Sequence, residues 1–476
     1  MRRFRLLVAG LALLAGVAGT VPGGATQATT RWVITDLGTF GGAYSRAFAI
    51  NAAGQIVGES ATADGAVHAF FWTQARGMVD LGTLGGRESQ ARAINASGQV
   101  IGSSTVGTGF QHAFSWTQAG GMVDLGEGTA EAVNDSGQVV GSLATGRAFM
   151  WSAGGGMVDL GTLGGAWSMP GAINASGQVV GDSQTAGGSG HVFSWTHAGG
   201  MVDVGTLGGS WGQAVAVNDK SQVVGASVTP DGATHGFSWT QVGRMIDLGT
   251  LGGASSFAHA LNASGQVVGQ SFNRDGFRHA FLWTQSAGML DLGTLGDWSS
   301  ANAINASGQV VGSGARSYSY SPAFSWTKAG GMVDLGTLGG NWSSAEALND
   351  KGQAVGFSTL ADGVTHAVLW NPVAEVVKPV IGEPTAAPAA PVTGKRFTVS
   401  FKVTRSDTGA PLTNGTMTCE PSVARKTVVH SESFKSGTAR LSLVVPKWAK
   451  GKELKVKLLI TTAGQSATRA ASYRIG

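Results

Sequence analysis

A phrase that reads A-G-G-M-V-D-L-G-T-L-G-G-x-W returns again and again along this chain. A repeat of near-constant period constrains the fold more than any other property of the sequence, because each copy must pack against its neighbours. The aspartate of the phrase stands at Asp36, Asp80, Asp124, Asp159, Asp203, Asp247, Asp291 and Asp334. The intervals are 44, 44, 35, 44, 44, 44 and 43 residues. A second marker, the tryptophan of H-A-F-x-W, stands at Trp72, Trp116, Trp151, Trp195, Trp239, Trp283, Trp326 and Trp370. The fuller unit runs S-x-A-x-A-I-N-A-S-G-Q-V-V-G, then a variable stretch, then H-A-F-x-W-T-Q-A-G-G-M-V-D-L-G.

Each unit reads as four short strands. The apolar runs are short, rich in Val, Phe and Trp, and bounded by Gly, Asn and Ser, and none keeps a helical period. The turn between the first and second strands is Asn-Ala-Ser-Gly, as at Asn174 to Gly177; Asn opens such a turn through its side chain and Gly accepts positive φ. A unit of about 40–45 residues with four strands has the size of a propeller blade. The chain enters on an orphan fourth strand at residues 32–38 and leaves its last unit at Trp370 without one, since Asn371-Pro372 replaces the usual continuation. The expectation is therefore all-β: an eight-bladed β-propeller over 31–372, closed by the N-terminal strand, which would hide two raw sheet edges. An open β-solenoid is the alternative, and would need neither end to match the other.

The chain has 476 residues, 76 of them Gly, and 13% are charged, as suits a turn-dense β protein. Residues 1–28 read as a signal peptide: Met-Arg-Arg-Phe-Arg, then the apolar run Leu6 to Ala18, then small residues. That run is too short to span a membrane. Export, with a secreted or envelope-associated product and no transmembrane segment, is the expectation. Residues 373–394, rich in Pro and Ala, read as an extended linker. Residues 395–476 show alternating strands and read as a small immunoglobulin-like β-sandwich. A lone cysteine, Cys419, reads as a buried apolar residue.

Charge separates the two regions. Residues 31–372 hold 13 Lys and Arg against 22 Asp and Glu, net −9; residues 395–476 hold 15 against 4, net +11. A basic module beside an acidic one is the pattern of a tether to an anionic surface. Lys447, Lys450, Lys452, Lys455 and Lys457 are the candidates, with an anionic cell-envelope polymer as the expected partner; the competing reading is the solvated face of a sandwich strand, along which Lys452, Lys455 and Lys457 alternate. Aromatic interleaving among these basic residues is not expected, which argues against nucleic acid.

The motif set H-A-F-x-W, D-L-G-T-L-G-G and I-N-x-x-G-Q-V-V-G resembles the extracellular HAF repeat family of bacteria. His68-Ala69-Phe70, His112-Ala113-Phe114 and His279-Ala280-Phe281 carry the motif unchanged. The resemblance implies an exported repeat protein and implies no activity. The C-terminal region resembles bacterial immunoglobulin-like modules.

The loop that leads from one unit to the next carries an aromatic residue at a matching position: Tyr44, Trp167, Trp211, Trp298 and Trp342. On one face of the array these rings are candidates to stack on a glycan or clamp a peptide; the competing reading packs them between units. The third unit lacks T-L-G-G after Leu125 and has a short loop at Leu143 to Gly146, which predicts a notch on that face. The eight motif aspartates are expected to accept backbone N–H bonds that lock neighbouring units. The motif histidines, one per unit, are too far apart to share a metal. No catalytic motif, phosphate loop, metal-spaced cysteine set or cofactor signature is present, so no catalytic residue, metal or cofactor is assigned. The carboxylates that depart from the repeat, Glu88, Glu127, Glu131 and Glu346, form no pair legible in the sequence. The reading is a secreted non-enzymatic binding or adhesion protein. A polysaccharide lyase or glycoside hydrolase and a structural envelope component are the alternatives.

Overall fold

The computed structural model describes residues 30–316, 319–374, 377–406, 409–462 and 465–476. The expected signal peptide lies outside the described residues. The chain divides into two compact units, one of Trp32–Val373 and one that contains Ala374–Gly476.

The repeats are four-stranded throughout. In the first, Gly41–Ile50, Ile56–Thr62, Val67–Thr73 and Gly77–Asp80 run antiparallel in sequence order. The H-A-F phenylalanines Phe70, Phe114, Phe149, Phe193, Phe237, Phe281 and Phe324 are fully buried, as are the paired valines of Q-V-V-G, such as Val179 and Val180. Apolar clusters form between successive units: Val140, Ala148 and Met150 of the third pack against Val179, Phe193 and Trp195 of the fourth. The glycine of Q-V-V-G is dictated by close approach. The first strand bulges opposite it, and a Cβ on Gly102 would lie 1.9 Å from the Gln90 carbonyl oxygen; Gly225 and Gly356 meet the same obstacle. Any side chain there would break the first hairpin of its unit.

The expected eight-bladed β-propeller is corrected by the sheet pairing. Units four to seven are separate four-stranded sheets, while the others merge into one 15-stranded sheet, and no sheet closes on itself. Two features cause the merger. The missing T-L-G-G after Leu125 leaves no loop, so Gly121–Val133 is a single 13-residue strand that serves as the fourth strand of one unit and the first of the next. Elsewhere parallel pairings join units directly, Val67 with Glu88 and Tyr44 with Thr365. The second and third strands of the third unit, Val139–Leu143 and Ala148–Ser152, have five residues each where those of the fourth have seven. The N-terminal strand Thr30–Asp36 pairs with Thr365–Ala374.

Continuity between units comes from asparagine. The Asn51 side-chain Nδ2 donates to the Asn95 carbonyl at 3.1 Å, Asn95 to Asn134, Asn134 to Asn174, and Asn174 to Asn218. Asn218 donates to Asn262, Asn262 to Asn305, and Asn305 to Asn349. Asn349 donates to the Asn51 carbonyl at 3.1 Å, so the series returns to its start. Each Oδ1 accepts from the backbone N–H four residues on, as Gln178 N–H to Asn174 at 2.9 Å, which locks the turn. All eight asparagines are buried.

The second unit holds two four-stranded antiparallel sheets. One runs Pro379–Ala387, Arg396–Arg405, Thr438–Val444, His430–Lys435; the other runs Lys426–Thr427, Thr416–Val423, Glu453–Thr462, Gln465–Arg474. Their alternating inward residues, Phe397, Val399, Phe401 and Leu441 from one and Leu454, Val456, Leu458 and Ile460 from the other, form one core. This corrects the expected linker: Pro379–Ala387 is an edge strand paired with Arg396–Arg405. Proline is tolerated at an edge, because the missing N–H faces away from the ladder. Cys419 is a buried free thiol, and burial with the nearby Glu432 carboxylate pushes it up to about 12.

Asn174→Ala removes the donor to Asn218 and the acceptor that holds its own turn, leaving buried backbone groups unpaired. A loss of about 2–3 kcal/mol is expected in urea unfolding. Asn174→Asp keeps the acceptor but sets a carboxylate against the Asn218 carbonyl, and should be destabilised at least as much at pH 7.

Candidate functional site

The sequence candidates lie where one repeat meets the next. In the first two units a polar groove of about 280 Å³ is lined by Tyr44, Glu59, Glu88, Gln90, Ser103 and Gln111, among others. Tyr44 comes from the loop side of the first strand of unit one, and Glu59 from the second strand, opposite Arg46. Glu88 and Gln90 come from the first strand of unit two, held beside unit one by the Val67–Glu88 pairing. Gln90 Nε2 donates to Glu59 Oε2 at 2.7 Å, and Gln111 Nε2 to Ser103 Oγ at 2.9 Å.

Glu59 is buried while Glu88 is exposed. Burial raises the Glu59 pKa, and the Gln90 bond and Arg46 only partly oppose it. Burial, then the Glu59 charge, raises the Tyr44 phenol as well. The groove thus offers one half-buried ring, one carboxyl shielded from water, one exposed carboxylate, and several amides and hydroxyls.

The arrangement recurs at units four and five, where Asp182 stands in the place of Glu59, Gln213 in that of Gln90, Trp167 in that of Tyr44 and Trp211 in that of Glu88. Asp182 is buried, and burial raises its pKa to about 6 against the pull of the Gln213 hydrogen bond. Gly190 separates the two indoles. A Cβ placed on it would lie 2.9 Å from Trp211 Cδ1 and 3.4 Å from Trp167 Cη2, so both rings rest on the same glycine.

The remaining aromatics fall into separate settings. Trp342, 41% exposed, meets Phe357 edge-on with centroids 4.8 Å apart. The Arg46 guanidinium lies 5.2 Å from the Phe357 centroid and 5.9 Å from that of Tyr44. Trp298 carries the Arg278 guanidinium 4.1 Å from its centroid. Tyr44, Trp167, Trp211 and Trp298 are half-buried. Trp211 and Trp298 meet Gly190 and Arg278 of the preceding unit, whereas Trp342 meets Phe357 of its own unit, and all five rings keep part of their surface in solvent.

The motif histidines and aspartates pair within units. His68 Nδ1 lies 2.8 Å from Asp80 Oδ2, and the same contact recurs at His112–Asp124, His191–Asp203, His235–Asp247 and His279–Asp291. His366 pairs with Asp36 at 2.9 Å, joining the last third strand to the first strand of the array. In unit three Arg147 replaces the histidine and meets Asp159 at 3.1 Å; in unit seven Arg316 reaches Asp334 at 3.5 Å. Each aspartate also accepts from the glycine two residues on, as Gly82 N–H to Asp80 at 2.7 Å. Their backbone bonds are therefore local turn bonds, and the expected lock between neighbouring units is corrected. Among the described residues no group of three or more His, Cys, Asp or Glu is placed to hold a metal ion.

Sequence reasoning missed two positions. One is the pair Glu59 and Asp182, whose signal was a carboxylate inside an otherwise small or neutral V-V-G-x-S run. The other is the bulged residue of A-x-A, which varies between units; here Arg92 meets Glu131 at 3.4 Å, and His259 Nδ1 lies 2.8 Å from the Ala301 carbonyl, its pKa lowered chiefly by burial.

In the second unit Lys447, Lys450, Lys452, Lys455 and Lys457 are all exposed. Lys455 lies 3.5 Å from Glu453 and Lys457 3.6 Å from Glu420. Trp448 sits among the basic residues, with Lys452 Nζ 4.8 Å from its ring centroid, which corrects the expectation of no interleaved aromatic.

Among the described residues no helix is long and apolar enough to cross a membrane. No family model and no curated protein matches the chain. Among solved structures it is similar to one titled "Crystal structure of the S-layer protein rSbsC(31-844)", at 11% identity over 79% of this chain and 50% of that one, with a TM-score of 0.19. The chain spans about half the length of that structure, and a likeness this weak carries no argument about fold or function.

Two outcomes follow from this geometry. The folded Asp182 carboxyl keeps its proton up to about pH 6, whereas an unfolded one loses it near 3.8. The stability associated with the protonated form is complete below 3.8 and is lost as pH rises through 6. Asp182→Asn should therefore gain on the order of 1–3 kcal/mol over the parent at pH 8 and almost nothing at pH 3.5, read by urea unfolding at both pH values. Gly190→Val should displace the Trp167 and Trp211 indoles, which near-ultraviolet circular dichroism would record as a changed tryptophan band with the far-ultraviolet spectrum retained.

Proposed function

We propose that this chain is an exported, non-enzymatic glycan-binding protein whose repeat array holds the ligand and whose basic C-terminal unit attaches it to an anionic envelope polymer. The observation that carries the reading is the groove between units one and two, where an aromatic ring stands beside carboxyl, amide and hydroxyl groups. A sugar presents an apolar C–H face for a ring and a rim of hydroxyls for such polar groups. The carboxyls of Glu59 and Glu88, within a region of net charge −9, favour a neutral or amino-bearing glycan over an acidic one. The related surface of Trp167, Asp182, Trp211 and Gln213 offers the same chemistry with two indoles, so a polymer engaging both gains from multivalency. The resemblance of the repeats to the extracellular HAF family and the basic, apolar N-terminal stretch support export.

One observation favours a second reading. Glu59 and Glu88 line the same groove, the first with a raised pKa and the second exposed to water, which is the asymmetry that glycoside hydrolysis demands of its acid and its partner carboxylate.

A glycan array probed with the whole secreted chain separates the readings. Binding without release of reducing ends supports the first, with Tyr44→Ala and Glu59→Gln each expected to weaken it about tenfold. Turnover that Glu59→Gln abolishes while binding survives would establish the second. A chain that binds no glycan overturns both.

A further inference from the structure

The unit containing Ala374–Gly476 holds a large aromatic side chain half in water. Trp448 is 48% exposed and sits in the single helical turn Lys447–Ala449, which follows the strand Thr438–Val444. Lysines lie near it in space and in sequence. Lys452 Nζ lies 4.8 Å from the ring centroid and Lys426 Nζ 5.8 Å, while Lys447 and Lys450 flank the ring in sequence and point into solvent.

Neutralisation distinguishes these lysines from the stripe beside them. Lys455 and Lys457 each have a glutamate within ion-pair reach. Among the described residues, Lys426, Lys447, Lys450 and Lys452 form no ion pair with a carboxylate. Four lysines without a carboxylate partner therefore stand at or beside the exposed indole, whereas Lys455 and Lys457 on the strand Glu453–Thr462 are paired. Lysines alone would serve any polyanion. An indole held among them adds a flat apolar surface, which phosphate chains cannot use and a sugar ring can.

We propose that Trp448 with Lys426, Lys447, Lys450 and Lys452 is a binding site for an acidic polysaccharide, the indole stacking on one sugar ring and the ammonium groups meeting carboxylates on that residue and its neighbours. This rests on the envelope-attachment reading above and names the polymer class. The charge of residues 395–476, 15 Lys and Arg against 4 Asp and Glu, complements such a polymer.

The test measures binding of the whole chain to two polymers, polygalacturonate and polyphosphate, at equal concentration of charged groups and equal ionic strength. The parent is expected to bind both. Trp448→Ala, at a site open to solvent, should weaken polygalacturonate binding about tenfold and leave polyphosphate binding within about twofold. Trp448→Phe should recover part of the loss, and the double variant Lys455→Ala/Lys457→Ala should leave polygalacturonate binding within about threefold. Equal binding of both polymers that Trp448→Ala leaves untouched, or weakens equally, overturns the sugar-stacking site while the attachment reading stands. A parent chain that binds neither polymer overturns both. Thermal melting of each variant, unchanged from the parent, shows that the loss comes from the surface and not from unfolding.

Discussion

Eight buried asparagine side chains, each donating to the carbonyl of the next, are the constraint on which the rest of the repeat array depends. An amide suits this role because it donates and accepts at once. Oδ1 closes the turn within its own unit, and Nδ2 reaches across to the neighbour. A serine could close the turn but not make the crossing bond, and an aspartate would meet a carbonyl with negative charge. Because the last asparagine donates to the first, a displacement in any unit is felt by two neighbours, and no unit stands at an unpaired end of this series.

That shared spacing positions the candidate grooves. Since each unit holds the next at a set distance, a residue on the second strand of one meets the first strand of the following one, as Glu59 meets Gln90. The groups that vary between units occupy these junctions. Some junctions close: Arg46 covers Phe357, and Arg278 covers Trp298. Others stay open with a carboxyl inside, and these are where a ligand with hydroxyl or amino groups has partners. Function in this scaffold is thus written at unit boundaries by the few residues the repeat leaves free.

The histidine–aspartate pairs show the same economy. Where the histidine is lost, at Arg147 and near Arg316, an arginine still faces the aspartate. The repeat preserves a donor for that carboxylate without preserving its identity, and the aspartate in turn holds the backbone of the Asp-Leu-Gly turn.

The strands and turns were legible in the sequence, because short apolar runs and asparagine-opened turns are local signals and the chain states them eight times. So was the odd third unit, since Glu127 stands where a loop motif is deleted. The sheet partition was not legible. Whether Gly121–Val133 stays one strand, and whether Val67 pairs with Glu88, depends on how closely neighbouring units approach, which no single unit encodes. Pro379–Ala387 looked like a linker for the same reason: its composition resists strand formation, and only the neighbouring Arg396–Arg405 makes it an edge. The aromatic positions and Glu88 were named from the sequence, yet the buried carboxyls Glu59 and Asp182 were not. Sequence by itself determined the repeating element, its turns and its opposed charges, all set by short-range rules. Tertiary structure alone decided which side chains of different units share a groove, because contacts between residues 30 or more positions apart are set by packing between units.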